Sequence, residues 1–237
     1  MARPVIVFDL DGTLIDTAPD LADTLNAILV REGIAPVDYA AVRNTVGQGS
    51  KAMLKRALTL RAQNAGAERL ERLFPDFLEH YAAHIADRSR PFPGLETALQ
   101  ALARDGFALA VCTNKLEWLS RRLLDALDLS RHFAFVCGQD TFGVMKPDPE
   151  VLRQTVRRSG GDIARAVMVG DSVTDIRVAR AAGVPVIAVD FGYTNIPVSE
   201  LGPDRIIGHF DELRASVASL AGEGSVFRPN QAAATEN

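Results

Sequence analysis

Short, unbroken apolar runs alternate along this chain with longer stretches of helical periodicity. Val5 to Phe8 is β-branched and aromatic without polar alternation, as in a parallel strand covered on both faces. Similar runs recur at Ala108 to Cys112, Phe133 to Cys137, Ala166 to Val169 and Val186 to Val189. Between them Leu95, Leu99 and Leu102, and later Leu119, Leu123, Leu124 and Leu127, repeat at helical spacing. Alternating strand and helix predicts an α/β fold on a doubly wound parallel sheet.

One connection is too long for that pattern. From Gly12 to Phe107 the chain far exceeds the dozen or so residues that link two parallel strands. Within it Leu21, Leu25, Ile28 and Leu29 form one apolar helical face. Met53, Leu54, Ala57 and Leu58 form a second, and Leu70, Leu73, Phe77, Tyr81 and Ile85 a third. The segment reads as an inserted helical cap domain over 17–88, with the α/β core at 1–16 and 89–220. Thr17-Ala-Pro19-Asp20 is a helix-start signal, and Pro91-Phe-Pro93-Gly94 a stiff return to the sheet. Two linkers side by side predict a hinge. Residues 221–237 lose periodicity and end in small polar residues, which predicts a flexible tail.

Composition narrows the function classes. The chain has 237 residues, 47% of them hydrophobic and 24% charged, with a formal net charge of −4. Its mean hydropathy is +0.05. The acidic balance disfavours nucleic acid and acidic membrane surfaces as partners, so an anionic ligand needs a local positive site. Cys112 and Cys137 fit neither a disulfide framework nor a zinc set and read as buried hydrophobes. The apolar run in the opening MARPVIVFDLDGT is too short for a signal-peptide core, and no run of about 18 apolar residues follows. The expectation is a cytoplasmic protein, monomer or homodimer, that binds no membrane.

The polar residues at the carboxyl ends of the strands are where ligands bind in such sheets. The first strand ends in Asp9-Leu-Asp11-Gly-Thr13, the second in Thr113-Asn114, and the fourth in Gly170-Asp171-Ser-Val-Thr-Asp175. Asp9 and Asp11 are two apart, on one side of extended backbone, and Gly12 permits a tight turn after them. Two like charges about 4 Å apart cost on the order of 4 kcal/mol at an effective dielectric near 20, and Asp171 with Asp175 would add more. Such a cluster calls for a cation. All-oxygen ligands suit Mg²⁺, which keeps waters and binds few carboxylates plus a substrate phosphate. Lys146, in Lys146-Pro147-Asp148-Pro149, adds a positive charge on a stiff segment. Taken singly, each motif also reads as a turn, a helix cap or a surface lysine. Together they describe a phosphoryl site for a small phosphorylated metabolite.

In order, spacing and strand-end placement these motifs resemble the four motifs of the haloacid dehalogenase superfamily, over residues 3 to about 215. The helical insertion resembles its C1 type of cap. The resemblance implies that Asp9 attacks phosphorus, and that Asp11 protonates the leaving alkoxide and then deprotonates the hydrolytic water. Asp9, Asp171 and the backbone carbonyl of Asp11 would bind Mg²⁺. Thr113 and the amide of Asn114 would hold phosphoryl oxygens, Lys146 would neutralise charge, and Asp175 would support the ligands from behind.

Within the superfamily the likeness is to bacterial phosphoglycolate phosphatases, through Asp9 to Thr17 and through Val46-Gly47-Gln-Gly49. Such a substrate carries a carboxylate near its phosphate, so Arg43, Lys51 and the loop amides at Gly47 and Gly49 are specificity candidates. Trp118 reads as packing rather than substrate stacking. A dehalogenase would lack Asp11. A phosphonatase, with Lys51 as its Schiff-base lysine, a β-phosphoglucomutase, and other sugar-phosphate or pyrophosphate hydrolases stay open. A phospho-aspartate signalling module is disfavoured by the long insert and by Asp11.

Overall fold

The unbroken apolar runs form the sheet. The computed structural model describes residues 2–43, 45, 46, 49–194 and 196–222, and among these the strands are β1 (Arg3–Phe8), β2 (Ile15–Asp16), β3 (Arg90–Pro91), β4 (Ala108–Cys112), β5 (Phe135–Cys137), β6 (Gly161–Gly170), β7 (Val186–Val189) and β8 (Arg205–Ile207). Six of them pair in parallel in the order β5-β4-β1-β6-β7-β8, the predicted α/β architecture. The strand β8 had no sequence signal, because it is short, lies at the sheet edge and fully buries only Ile207. The pleat sends Ile6 and Phe8 to one face and Val5 and Val7 to the other. The first face packs against α5 (Leu95–Arg104), α6 (Glu117–Ala126) and α9 (Leu213–Gly222). The second packs against α7 (Pro149–Arg158) and α8 (Val173–Ala182). Cys112 and Cys137 face each other on β4 and β5, buried and free.

Helices α1 (Ala18–Arg31), α2 (Tyr39–Arg43), α3 (Ser50–Leu60) and α4 (Ala67–Ala83) occupy the long connection. Leu25, Leu29, Met53, Leu58, Leu73 and Phe77 bury the three predicted apolar faces against one another. Complete burial of each such side chain stabilises by about 1.5–3 kcal/mol. Ile85 lies past the end of α4 yet is also buried. Among the described residues no helix is long and apolar enough to cross a membrane. The predicted tail falls almost wholly outside the described residues.

The chain leaves the sheet at β2 and returns at β3, and these two short strands pair antiparallel. The Phe92 amide donates to the Leu14 carbonyl at 3.0 Å. The Thr17 helix-start signal is right about position, since α1 begins at Ala18 with Pro19 in its first turn, but the Thr17 side chain makes no capping bond. The Tyr193 hydroxyl instead accepts from the Ala18 amide at 3.0 Å, so a residue far along the chain satisfies a donor at the helix start. Asp20, one turn in, is 2% exposed and ties the returning linker. Its carboxylate accepts from the Arg88 amide at 2.9 Å, the Ser89 amide at 2.8 Å and the Ser89 hydroxyl at 2.6 Å.

Hydrogen bonds to a charged group each contribute about 1.5–3 kcal/mol, and three donors, the two of Ser89 buried, lose their acceptor if the carboxylate is removed. Asp20→Ala is therefore expected to lower stability by about 3 kcal/mol in urea denaturation. Asp20→Asn, which keeps one acceptor oxygen, should lose less. A change under about 1 kcal/mol for the alanine variant would show that the linkers do not depend on this clamp.

Candidate active site

Asp9 follows the last residue of β1, and its amide still bonds to the Val169 carbonyl at 2.9 Å, so the sheet ladder fixes its backbone. Leu10 is fully buried and turns inward, while Asp9 and Asp11 both line one cavity. The chain can turn at once because Gly12 has φ +85°, and a Cβ there would lie 2.7 Å from Asp171 Oδ2. From β6, Gly170 leads to Asp171, and Ser172 then caps α8. The Ser172 hydroxyl accepts from the Asp175 amide, and the Asp175 carboxylate accepts from the Ser172 amide and hydroxyl. This capping box fixes Asp175 as the first turn forms, and a Cβ at Gly170 would sit 2.4 Å from that carboxyl group.

Lys146 reaches the cleft from the segment after β5. Its ammonium donates to Asp175 Oδ1 at 2.6 Å and lies 2.9 Å from Asp9 Oδ1. Burial acts to lower the lysine pKa, but Asp175 and Asp9 outweigh it and hold the ammonium charged well above the usual range. The Asn114 side chain accepts from the Lys146 amide and donates to its carbonyl, both at 3.1 Å. That side chain is thus committed to positioning Lys146. Thr113 is buried beside it, its hydroxyl accepting from the Lys115 amide at 3.2 Å.

Oxygen atoms of Asp9, Asp171 and Asp175 lie within 4.8 Å of one another. Burial pushes the Asp171 carboxyl up to about 7, with Asp175 and Asp9 adding to it against the Tyr193 amide and Thr13 hydroxyl. Burial likewise raises Asp9 to about 6, against the pull of Lys146. Asp9 Oδ1 is buried without an aligned hydrogen-bond donor, the nearby Lys146 ammonium being out of line. With Asp175 occupied by Lys146 and Ser172, Asp9 and Asp171 are the acids with capacity to spare. A buried carboxylate oxygen with no aligned donor, beside a second acid and each destabilised in its charged form, fits a hard divalent cation.

Four residues of the cleft carried no sequence assignment. The Lys115 ammonium donates to Asp11 Oδ1 at 3.0 Å, Asp11 Oδ2 at 3.2 Å and the Tyr81 hydroxyl at 2.9 Å, with its charge 4.4 Å from the Tyr81 ring centre. The Thr13 hydroxyl donates to Asp171 Oδ1 at 3.0 Å, and the Tyr193 amide to Asp171 Oδ2 at 2.7 Å. Adjacency to Thr113-Asn114 was the available signal for Lys115, and the first motif itself for Thr13. Tyr81 is hidden as one apolar position of a helix, and Tyr193 had no local signal.

The cavity lined by Asp9, Asp11, Thr113, Asn114, Lys115 and Lys146 has a volume of about 240 Å³. That is below the roughly 300–1,000 Å³ of pockets for drug-sized ligands and suits a substrate of few atoms. Gly49 and Lys51 line its helical side. Lys51 is half-exposed and paired with Glu71 at 2.6 Å. Gly47 and the Arg43 side chain lie outside the described residues. Trp118 is 46% exposed on α6, contrary to its expected packing role, because its neighbours Leu119 and Leu123 supply that helix's buried face.

The haloacid dehalogenase-like hydrolase family profile matches residues 6–189. A phosphoglycolate phosphatase of Mesorhizobium japonicum is 50% identical over 218 residues, 92% of this chain and 96% of that protein. Another, from Agrobacterium fabrum, is 46% identical over 210 residues, 89% of this chain and 90% of that one. The crystal structure of a predicted phosphoglycolate phosphatase from Haemophilus somnus 129pt superposes with TM-score 0.84 at 28% identity, over 90% of this chain and 97% of that chain.

Carboxyls raised from 3.8 to about 6 and 7 keep protons in the folded chain that the unfolded chain has already lost. The stability they contribute is full below about pH 4 and is lost as pH rises through their folded values. In chelator, the melting temperature contribution of this cleft should fall between pH 5 and pH 8. A saturating divalent cation should then raise the melting temperature by about 3 °C more at pH 8 than at pH 5. Asp171→Asn should remove most of that difference in scanning calorimetry. An equal rise at both pH values in the unsubstituted protein would contradict this account.

Proposed function

The chain belongs to the haloacid dehalogenase-like hydrolase family and is a phosphatase, and from that premise we propose that it hydrolyses 2-phosphoglycolate to glycolate and phosphate, using Mg²⁺ and an aspartyl-phosphate on Asp9. The observation that carries the chemistry is the buried Asp9 Oδ1, 2.9 Å from the Lys146 ammonium and in one small cavity with Asp11. The names of the relatives and the small cavity support the substrate.

Asp9 attacks phosphorus, and the bond to the ester oxygen breaks while Asp11 gives that oxygen its proton. Asp11 then takes a proton from water as the water attacks the phosphorus of the aspartyl-phosphate. The bond to Asp9 breaks, returning the free carboxylate. Lys146, Thr113 and the backbone amide of Asn114 meet phosphoryl charge. Asp9, Asp171 and the Asp11 carbonyl would hold Mg²⁺, with Asp175 acting through Lys146. When bound, the ion supplies positive charge against the phosphoryl oxygens and the attacking carboxylate. In this reading residues 17–88 are a cap over a core of 1–16 and 89–220, and Gly49, Lys51, Arg43 and Gly47 belong to its specificity surface.

Phosphate release from 2-phosphoglycolate should need Mg²⁺ and stop in excess chelator. Asp11→Asn should slow it by about 10²–10⁴-fold. With p-nitrophenyl phosphate, whose leaving group needs no proton, Asp11→Asn should still form the phosphoenzyme and then stall, whereas Asp9→Asn should form none. Intact mass after acid quench reads both, and an adduct on Asp9→Asn, or none on Asp11→Asn, would overturn the assignment.

A further inference from the structure

We propose that Lys115 is the specificity residue of this site, its ammonium taking the carboxylate of a substrate in which a single methylene separates the ester oxygen from that carboxylate. The inference rests on the substrate class of the preceding subsection and adds the group that recognises it.

The positive charges lining the cavity have unequal freedom to do this. Lys146 is held between Asp175 and Asp9, at the place of the phosphoryl group. Lys51 is at the rim, half-exposed, with Glu71 as its partner, and a solvated pair of that kind is weak. Lys115 lines the inner cavity with its side chain 6% exposed, and it touches Asp11, the group assigned to the ester oxygen. In 2-phosphoglycolate the carboxylate follows that oxygen after one methylene. A cation in contact with Asp11 is therefore placed for it, and Lys115 is the residue that makes the contact.

The apolar lining strengthens a contact between the ammonium and a carboxylate. Leu21, Leu78, Leu116 and Leu119 line the same cavity, so charge interactions there are less screened than in water. The Tyr81 hydroxyl and ring hold the ammonium from the side of α4. A carboxylate arriving beside it accepts a charge-assisted hydrogen bond from a donor already ordered, which limits the entropy lost on binding. A neutral group of the same size leaves that donor to Asp11 and Tyr81 and gains nothing from its charge. Tyr81 acts as a positioning residue, fixing Lys115 from α4.

The test compares 2-phosphoglycolate with 2-hydroxyethyl phosphate, which has the same length and an uncharged end, in the unsubstituted enzyme, Lys115→Met and Lys115→Arg. Methionine keeps the length of the side chain and removes its charge. The ratio of kcat/KM for the two substrates cancels any loss of folded enzyme. We expect the unsubstituted enzyme to favour 2-phosphoglycolate and Lys115→Met to reduce that ratio by about 100-fold, with partial recovery in Lys115→Arg. A preference that survives in Lys115→Met, with both substrates slowed alike, overturns the inference and leaves the substrate assignment standing, since Lys115 would then only hold Asp11. No preference in the unsubstituted enzyme overturns the substrate assignment and this inference together.

Discussion

The ion pair between Lys146 and Asp175 lies wholly inside the protein, 2.6 Å long, with both side chains at most 2% exposed. Breaking such a pair from one side costs about 3–5 kcal/mol, because the remaining charge is left without water or partner. Much of the local structure keeps both ends in place. Asn114 grips the Lys146 backbone from the end of β4, and the α8 capping box holds Asp175 from the end of β6. The two ends come from strands on opposite sides of β1, so the pair spans the point where the sheet's winding changes direction. Asp9, at the end of β1, then sits beside an ammonium whose position is set by its neighbours.

That pair does not neutralise the cleft. Asp9, Asp11, Asp171 and Asp175 share it with Lys115 and Lys146, leaving two excess negative charges if all are ionised. Burial lifts the carboxyls of Asp9 and Asp171, the expected response of acids denied both water and a full set of counter-charges. A divalent cation supplies the missing charge without adding a side chain, which leaves space for a ligand in the same cavity.

Three sets of contacts join this cleft to the helical segment above it. Tyr193 donates its amide to Asp171, accepts from the Ala18 amide and donates its hydroxyl to Asp16. Asp20 clamps the returning linker at Ser89. Lys115 bridges Asp11 to Tyr81 of α4. Each contact has one partner at the strand ends or linkers and the other on or beside the helices. The position of α1 and α4 is therefore coupled to the polar side chains of the cleft, through directed polar bonds rather than apolar packing alone.

The amino-acid sequence by itself determined the parallel strands, because buried parallel strands must be apolar on both faces. It determined the helical insertion, because its length exceeds any ordinary crossover. It also determined which polar residues stand at the strand ends, since Asp9 and Thr113 follow the apolar runs directly and Asp11 and Asp171 come within three residues of them, and the Ser172 and Asp175 capping box is complete within one turn. The partners of those residues were decided by tertiary structure. Lys115 meets Tyr81 across 34 positions, and Tyr193 meets Asp16 across 177. Thr17 looked like a helix cap, but the hydroxyl of Tyr193, from the segment after β7, serves α1. Local spacing fixes what a residue's own turn can satisfy, whereas a buried charge or amide takes whichever partner the docking of distant elements brings within about 3 Å.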